Sequence, residues 1–252
     1  MPARQVRPTF VLPAESEENA VASRPIEQLH GIAIPRTLEE ACDPRRLALV
    51  VYDMQVGILG QIADRERVVA QVARVLEAAR AASVRTVFMR HVTLPTELMG
   101  ASQMRMWMAW QRAERAADIV SPFPPDAPAT QLAPELAPTT REAVFDKVTM
   151  SAFEGTPLDI VLRDCGIVSV ALVGVALEVG IEPTARHAAD LGYLPIVVTE
   201  ACGAGDRAAG ERSLEALAFA GDALLTDTAA FARALAARAP SAAAAGSAPA
   251  RH

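Results

Sequence analysis

Two charged residues stand where strand ends would present them to a ligand. Asp53 follows the apolar run Leu47-Ala48-Leu49-Val50-Val51-Tyr52. A carboxylate at that point is partly desolvated, which raises its pKa and suits it to general acid or base work. The plainer alternative is a carboxylate that caps a loop or pairs with a surface base. Lys147 lies in Phe145-Asp146-Lys147-Val148-Thr149-Met150-Ser151-Ala152-Phe153. Beside a buried carboxylate it would form a coupled pair, each group holding the other's charge state. Alone it would be a solvated lysine, with Asp146 as an equally available partner for a surface pair. Arg90 could grip both oxygens of a substrate carboxylate, or serve as an ordinary ion-pair arginine.

The segment Gly174-Val175-Ala176-Leu177-Glu178-Val179-Gly180 reads as a strand end, a tight turn and a helix start. Small, backbone-permissive residues at such a turn build binding sites at helix N-termini. Glu178 falls in the first helical turn, where negative charge is favoured. His91 has no His or Cys at ligand spacing, so no metal site is expected. Gly203 and Gly205 lack the spacing of a dinucleotide fingerprint, and no cofactor is implied. Cys165 falls at a helix end, as core packing would require, and Cys202 just after a strand near the same rim; a loop or buried cysteine is usually no nucleophile. Trp107 and Trp110, with Met104, Met106 and Met108, either line a substrate lid or pack against the body or a second subunit.

The elements that must position these groups follow from periodicity. Leu47–Tyr52 is a strand buried on both faces, and Val68, Val72, Val75, Leu76 and Ala79 form one helical stripe. Further strands are expected at 84–89, 143–145, 168–173, 194–199 and 223–226. Helices are expected at 64–82, 104–117, 178–191, 210–220 and 229–237, with another opening at Thr156-Pro157. The alternation predicts an α/β fold: a three-layer αβα sandwich around a mostly parallel six-stranded sheet. Right-handed crossovers put the ligand crevice at the carboxyl ends of the strands. Asp53, Arg90, His91, Lys147, the 174–180 turn and Glu200 then share one rim.

The 252 residues suffice for one domain with a sizeable core. A Pro-rich irregular arm is expected over 1–45, the domain over 46–235, and an Ala-, Ser- and Pro-rich disordered tail over 236–252. The net charge of −6 and the scattered basic residues argue against a nucleic-acid or anionic-membrane surface. No apolar run is long enough to span a bilayer. Three widely spaced cysteines suit a reducing, cytoplasmic compartment. The arm and the Met/Trp helix make a homo-oligomer plausible.

The chain resembles the isochorismatase-like cysteine hydrolases. The resemblance rests on Asp-Met-Gln at 53–55, Lys147 before Ser151-Ala152-Phe153-Glu154-Gly155-Thr156, and Gly-Val-Ala-Leu-Glu-Val-Gly at 174–180, followed by Thr184-Ala185 and Ala188. It spans roughly 46–230 and implies a Rossmann-like fold and a hydrolase of a small-molecule substrate. Asp53 matches the family's acid/base aspartate and Lys147 its lysine. Gln55, Arg90, Ala176 and Gly180 are the implied substrate-side residues. The family's non-proline cis peptide maps to Val175-Ala176, with the N–H groups of Ala176 and Gly180 as oxyanion candidates. Most members carry the catalytic cysteine where Gly180 stands. Acyl-cysteine chemistry is therefore closed at this position. Hydrolysis by the Asp/Lys pair stays open, with a vinyl ether of the isochorismate kind as one substrate and Gly180 leaving room for its ring. An amide or ureide hydrolase using a bound water or Cys202, or a non-catalytic binding member, are the alternatives. Asp53, Lys147 and Gly180 are expected to converge in one pocket.

Overall fold

The computed structural model describes residues 26–238. Two units are present, one ending at Arg36 and one beginning at Thr37. The first contains a hairpin of β1 (Glu27–Leu29) and β2 (Ile32–Ile34), paired antiparallel. The second follows in the order α1 (Leu38–Ala41), β3 (Leu47–Tyr52), α2 (Val56–Leu59), α3 (Arg65–Ala81), β4 (Arg85–His91), α4 (Ala101–Gln111), β5 (Ala143–Lys147), α5 (Leu158–Asp164), β6 (Ser169–Val175), α6 (Glu182–Asp190), β7 (Leu194–Gly203), α7 (Arg207–Ala220), β8 (Leu224–Thr226) and α8 (Thr228–Arg238).

The sheet runs β5-β4-β3-β6-β7-β8, with every pairing parallel. Strand β3 lies centrally and is buried throughout. Its side chains alternate between two cores, as a period of two requires. Leu47, Leu49 and Val51 pack with the α3 stripe and with Phe231, Ala234 and Leu235 of α8. Ala48, Val50 and Tyr52 pack with Leu158 and Leu162 of α5, Ala185 and Ala188 of α6, and Leu217 of α7. A third, smaller cluster joins Met99, Trp107, Ile119 and Phe123 between β4 and β5. Among the described residues no helix is long and apolar enough to cross a membrane.

Several expectations shift. The described part of the 1–45 arm is not wholly irregular: it holds the hairpin and α1, and residues 1–25 lie outside the described residues. The tail expected from 236 begins inside α8, and residues 239–252 are likewise outside. The Met/Trp helix starts and ends earlier than its apolar pattern suggested, because Arg112 takes a left-handed conformation and stops it. Strand β7 continues through Glu200 to Gly203, so Cys202 lies within the strand and not after it. Asp206 caps α7, its Oδ1 accepting from the Ala209 N–H at 2.8 Å, and left-handed Gly221 closes that helix. The helix expected over 178–191 opens as a π-helical turn over Leu177–Ile181. Pro183 brings no N–H to the first turn of α6, and the Ile181 N–H reaches back to the Ala176 carbonyl at 3.1 Å.

Gly174 is required where β6 crosses β3. Its φ is +121°, and a Cβ there would run into the backbone carbonyl of Tyr52, its register partner. Gly174→Ala is expected to cost about 3 kcal/mol or more, from overpacking together with backbone strain. A urea midpoint unchanged by the substitution would contradict this.

Candidate active site

The carboxyl end of β3 turns sharply. Asp53 adopts a left-handed φ of 48°, while its N–H still donates to the Met89 carbonyl at 3.0 Å. Aspartate tolerates this region better than most residues, but such positions cost energy and cluster at functional sites. Two strands away, β5 ends on Lys147, register partner of His91 on the intervening β4. The Lys147 side chain is fully buried and its Nζ donates to Asp53 Oδ2 at 2.9 Å. It also donates to the Thr149 carbonyl at 3.2 Å and lies 4.1 Å from the centroid of the Tyr52 ring.

Asp53 is 6% exposed, and its second oxygen, Oδ1, is buried without a hydrogen-bond partner. Burial pushes its pKa up to about 6, and the Lys147 charge acts against that rise. Burial holds the Lys147 ammonium below its ordinary value, with Asp53 opposing. The pair thus combines a carboxylate poised near neutrality with a cation that has no other counter-charge in contact. The coupled pair expected from the sequence is present, and the surface alternative is excluded by burial.

Asp53 opens on a cavity of about 520 Å³. The segment between β4 and β5 supplies one wall through Trp107, Trp110, Val120, Pro122 and Phe123. Ile58 and Ile62 line a second side; Val175, Ala176, Glu178 and Val179 line a third. This size and largely apolar lining suit a small molecule. No Lys or Arg is on the wall among the described residues. Four lining residues carry buried polar atoms without partners: Asp53 Oδ1, His91 Nε2, Trp107 Nε1 and Glu178 Oε2. Buried polar groups are normally satisfied, so four such atoms on residues around one cavity make it the candidate ligand site. His91 is held neutral, its pKa pushed down to about 3 by burial and by the Lys147 charge.

The remaining sequence candidates divide. Ala176 lies on the wall, and the Val175–Ala176 peptide is cis. Gln55 does not face the cavity chemistry. Its Nε2 donates to the carbonyls of His91 and Thr130, both at 2.9 Å, and its Oε1 accepts from the His91 N–H at 2.7 Å. It ties the β4–β5 segment to the sheet. Arg90 is a bidentate partner of Asp146, at 2.7 and 3.0 Å, and is off the wall, so no arginine awaits a substrate carboxylate. Glu178 does more than favour a helix end. Its Oε1 accepts from the N–H groups of Gly205 and Asp206, at 2.7 and 2.8 Å. Cys202 is 3% exposed, its pKa is pushed up to about 12 by burial, and it lies off this cavity. Such a thiol is no nucleophile. Trp107 and Trp110 pack edge-on, 5.2 Å apart, and both line the cavity; Trp107 also packs against Met99, Ile119 and Phe123, as the packing alternative for that helix expects.

Gly180 requires the largest correction. It is buried beneath the cavity, not on it, and its N–H is used by the Ala176 carbonyl at 2.9 Å. A Cβ added here would overlap Cε1, Cζ and Oη of Tyr52. The absent side chain therefore leaves no room for a substrate ring. The Tyr52 phenol fills that volume, and its hydroxyl donates to the Met150 carbonyl. Burial and the Asp53 charge keep this phenol well above its ordinary pKa. Tyr52 was not singled out as a site residue; the signal was a large aromatic next to the aspartate and facing the same core as the 180 helix.

Known proteins are similar to this chain in sequence as well as in fold. The isochorismatase domain profile matches residues 47–230. The isochorismatase family protein YecD of Escherichia coli is 32% identical over 168 residues, 62% of this chain and 79% of the relative. The ureidoacrylate amidohydrolase RutB of Pantoea ananatis is 27% identical over 179 residues, 63% of this chain and 69% of the relative. A shorter match, 39% identical over 71 residues, spans 38% of the isochorismatase family protein YwoC of Bacillus subtilis. In fold, a cysteine hydrolase from Pseudomonas syringae superposes with a TM-score of 0.67 at 24% identity, covering 86% of this chain and 99% of that one. With the profile covering most of the chain and the strand-end aspartate set against a buried lysine, this protein belongs to the isochorismatase family of hydrolases.

Proposed function

We propose that this chain hydrolyses a small-molecule amide or ureide by direct attack of water, with Asp53 moving the proton and no acyl-cysteine intermediate. The Asp53 carboxylate carries the reading: Asp53 lines the cavity, its Oδ2 is held by Lys147, and its Oδ1 is unpartnered. A water against Oδ1 gives its proton to the carboxylate as its oxygen adds to the substrate carbonyl carbon. The carbon–nitrogen bond then breaks, the same proton passes from Asp53 to the leaving nitrogen, and the carboxylate is regenerated. Lys147 is a positioning residue that keeps the base oriented and charged. Ala176, on the wall, offers its backbone to the developing oxyanion. The name of the Pantoea ananatis relative, a ureidoacrylate amidohydrolase, supports the bond class.

An isochorismate-like vinyl ether fits less well. Its carboxylates would enter a wall without Lys or Arg, and Arg90 is engaged by Asp146. The test is turnover of an amide and ureide panel, with isochorismate beside it. At least one amide or ureide should be hydrolysed at a rate unaffected by Cys202→Ala and by iodoacetamide. Loss of turnover on Cys202→Ala, or turnover of isochorismate with every amide inert, overturns the proposal.

A further inference from the structure

We infer that the cavity selects substrates bearing a positive charge on an aromatic or apolar body, a protonated amine or quaternary ammonium seated between the Trp107–Trp110 rings and the Glu178 carboxylate. This deepens the hydrolase reading and rests on it in taking this cavity as the substrate's. Glu178 lines the cavity and is fixed in place: Oε1 accepts two backbone N–H groups, while Oε2 is buried without a partner. It forms no salt bridge among the described residues. Among the described residues the wall holds no Lys or Arg to compensate it, and Lys147 is committed to Asp53.

An unpartnered carboxylate oxygen on a residue that lines an apolar cavity calls for a donor, and a charged donor bonds it about twice as strongly as a neutral one. The rings reinforce the sign. Trp107 stands 5.2 Å from Trp110 and 6.4 Å from Phe123, and aromatic faces attract cations. An anion would meet those faces and Glu178 together. Two further unpartnered groups are deeply buried and independent of Glu178: Trp107 Nε1, 4% exposed as a residue, and His91 Nε2, 5% exposed. The indole N–H needs an acceptor, which the carbonyl of an amide or ureide supplies. The ligand so described carries a carbonyl at one part and a cation at another.

Three probes of equal frame separate the terms: phenethylammonium, 2-phenylethanol and phenylacetate, measured at pH 7.5 by calorimetry on the full chain. The ammonium should bind at least tenfold tighter than the alcohol, and phenylacetate should not bind measurably. Glu178→Gln keeps the oxygen that accepts from Gly205 and Asp206 and should reduce the ammonium to the affinity of the alcohol. Trp110 is half-exposed, so Trp110→Leu should fold and weaken ammonium and alcohol alike. An ammonium no tighter than the alcohol, or a preference that survives Glu178→Gln, overturns the inference. Binding involves no turnover. Asp53→Asn protein should keep the ammonium preference, so a failed hydrolysis proposal and a failed charge preference give different results.

Discussion

Gly180→Cys is expected to destabilise the protein and to create no thiol catalyst. The overlap begins at Cβ, so alanine and serine should behave like cysteine. The atoms in the way belong to a fully buried ring whose hydroxyl is tied to the Met150 carbonyl. Forcing extra volume into a packed core costs about 1–3 kcal/mol, and a lost hydrogen bond about 1 kcal/mol more. Replacing a helical glycine returns about 0.5–1 kcal/mol. The net is about 1–3.5 kcal/mol, a lowering of Tm by about 2–14 °C for a domain of this size. The cycle with Tyr52→Ala isolates the cause. Tyr52→Ala alone opens a cavity and costs about 3–5 kcal/mol. In that background Gly180→Cys should cost far less than it does alone, because the two changes share one volume. Gly180→Ala with an unchanged Tm, or additive effects in the cycle, would show that the ring simply swings aside.

This coupling alters what the glycine means. A lapsed cysteine enzyme would keep a gap that cysteine could refill. Here the gap is closed by the residue immediately before Asp53, the proposed acid/base group, and the same ring lies against Lys147. The ring that closes the gap belongs to the same packing that holds Lys147 against Asp53, and Asp53 lines the cavity.

The fold was legible because it depends on short-range pattern. The alternation along Leu47–Tyr52 and the 3.6-residue stripe on α3 each dictate a burial face, and the faces assemble in one way. The Asp53–Lys147 pair was legible through the family resemblance; position alone left Lys147, which follows Asp146, equally readable as a solvated lysine. The substrate-side reading of Gln55, and of the two readings of Arg90 the substrate one, did not hold, because sequence places a residue at a rim but not the direction of its side chain. Gln55 turned to the backbone of the β4–β5 segment, and Arg90 found Asp146 on the adjacent strand. Glu178 and Tyr52 depend on contacts with Gly205, Asp206 and Gly180, far along the chain, and no local periodicity encodes them.

Asp53→Asn is expected to lower kcat/KM by about 10²–10⁴-fold, the usual contribution of a positioned acid–base group. Asparagine keeps the shape and a carbonyl oxygen for Lys147 but cannot take the proton of water. The wild-type pH profile gives the sign independently. Asp53 must be ionised to act as base, and its pKa is raised to about 6 by burial. kcat/KM should therefore fall tenfold per unit below about pH 6 and level off above it. A profile that instead falls as pH rises through that value would assign Asp53 the role of initial acid, as vinyl-ether cleavage requires. Lys147→Met tests the second member of the pair. The ammonium now opposes the burial-driven rise, so its removal should move the limb to higher pH while lowering the plateau. A merely structural lysine would lower activity at every pH and leave the limb where it was. The stability of the wild type carries the same signature. Between the ordinary carboxylate pKa of 3.8 and about 6, the native state holds a proton that the unfolded chain has released, so this group's contribution to stability declines as pH rises across that interval. Urea midpoints taken from pH 4 to 7 should show that decline in the wild type and lose it in Asp53→Asn; its persistence in the variant would place the titrating group elsewhere.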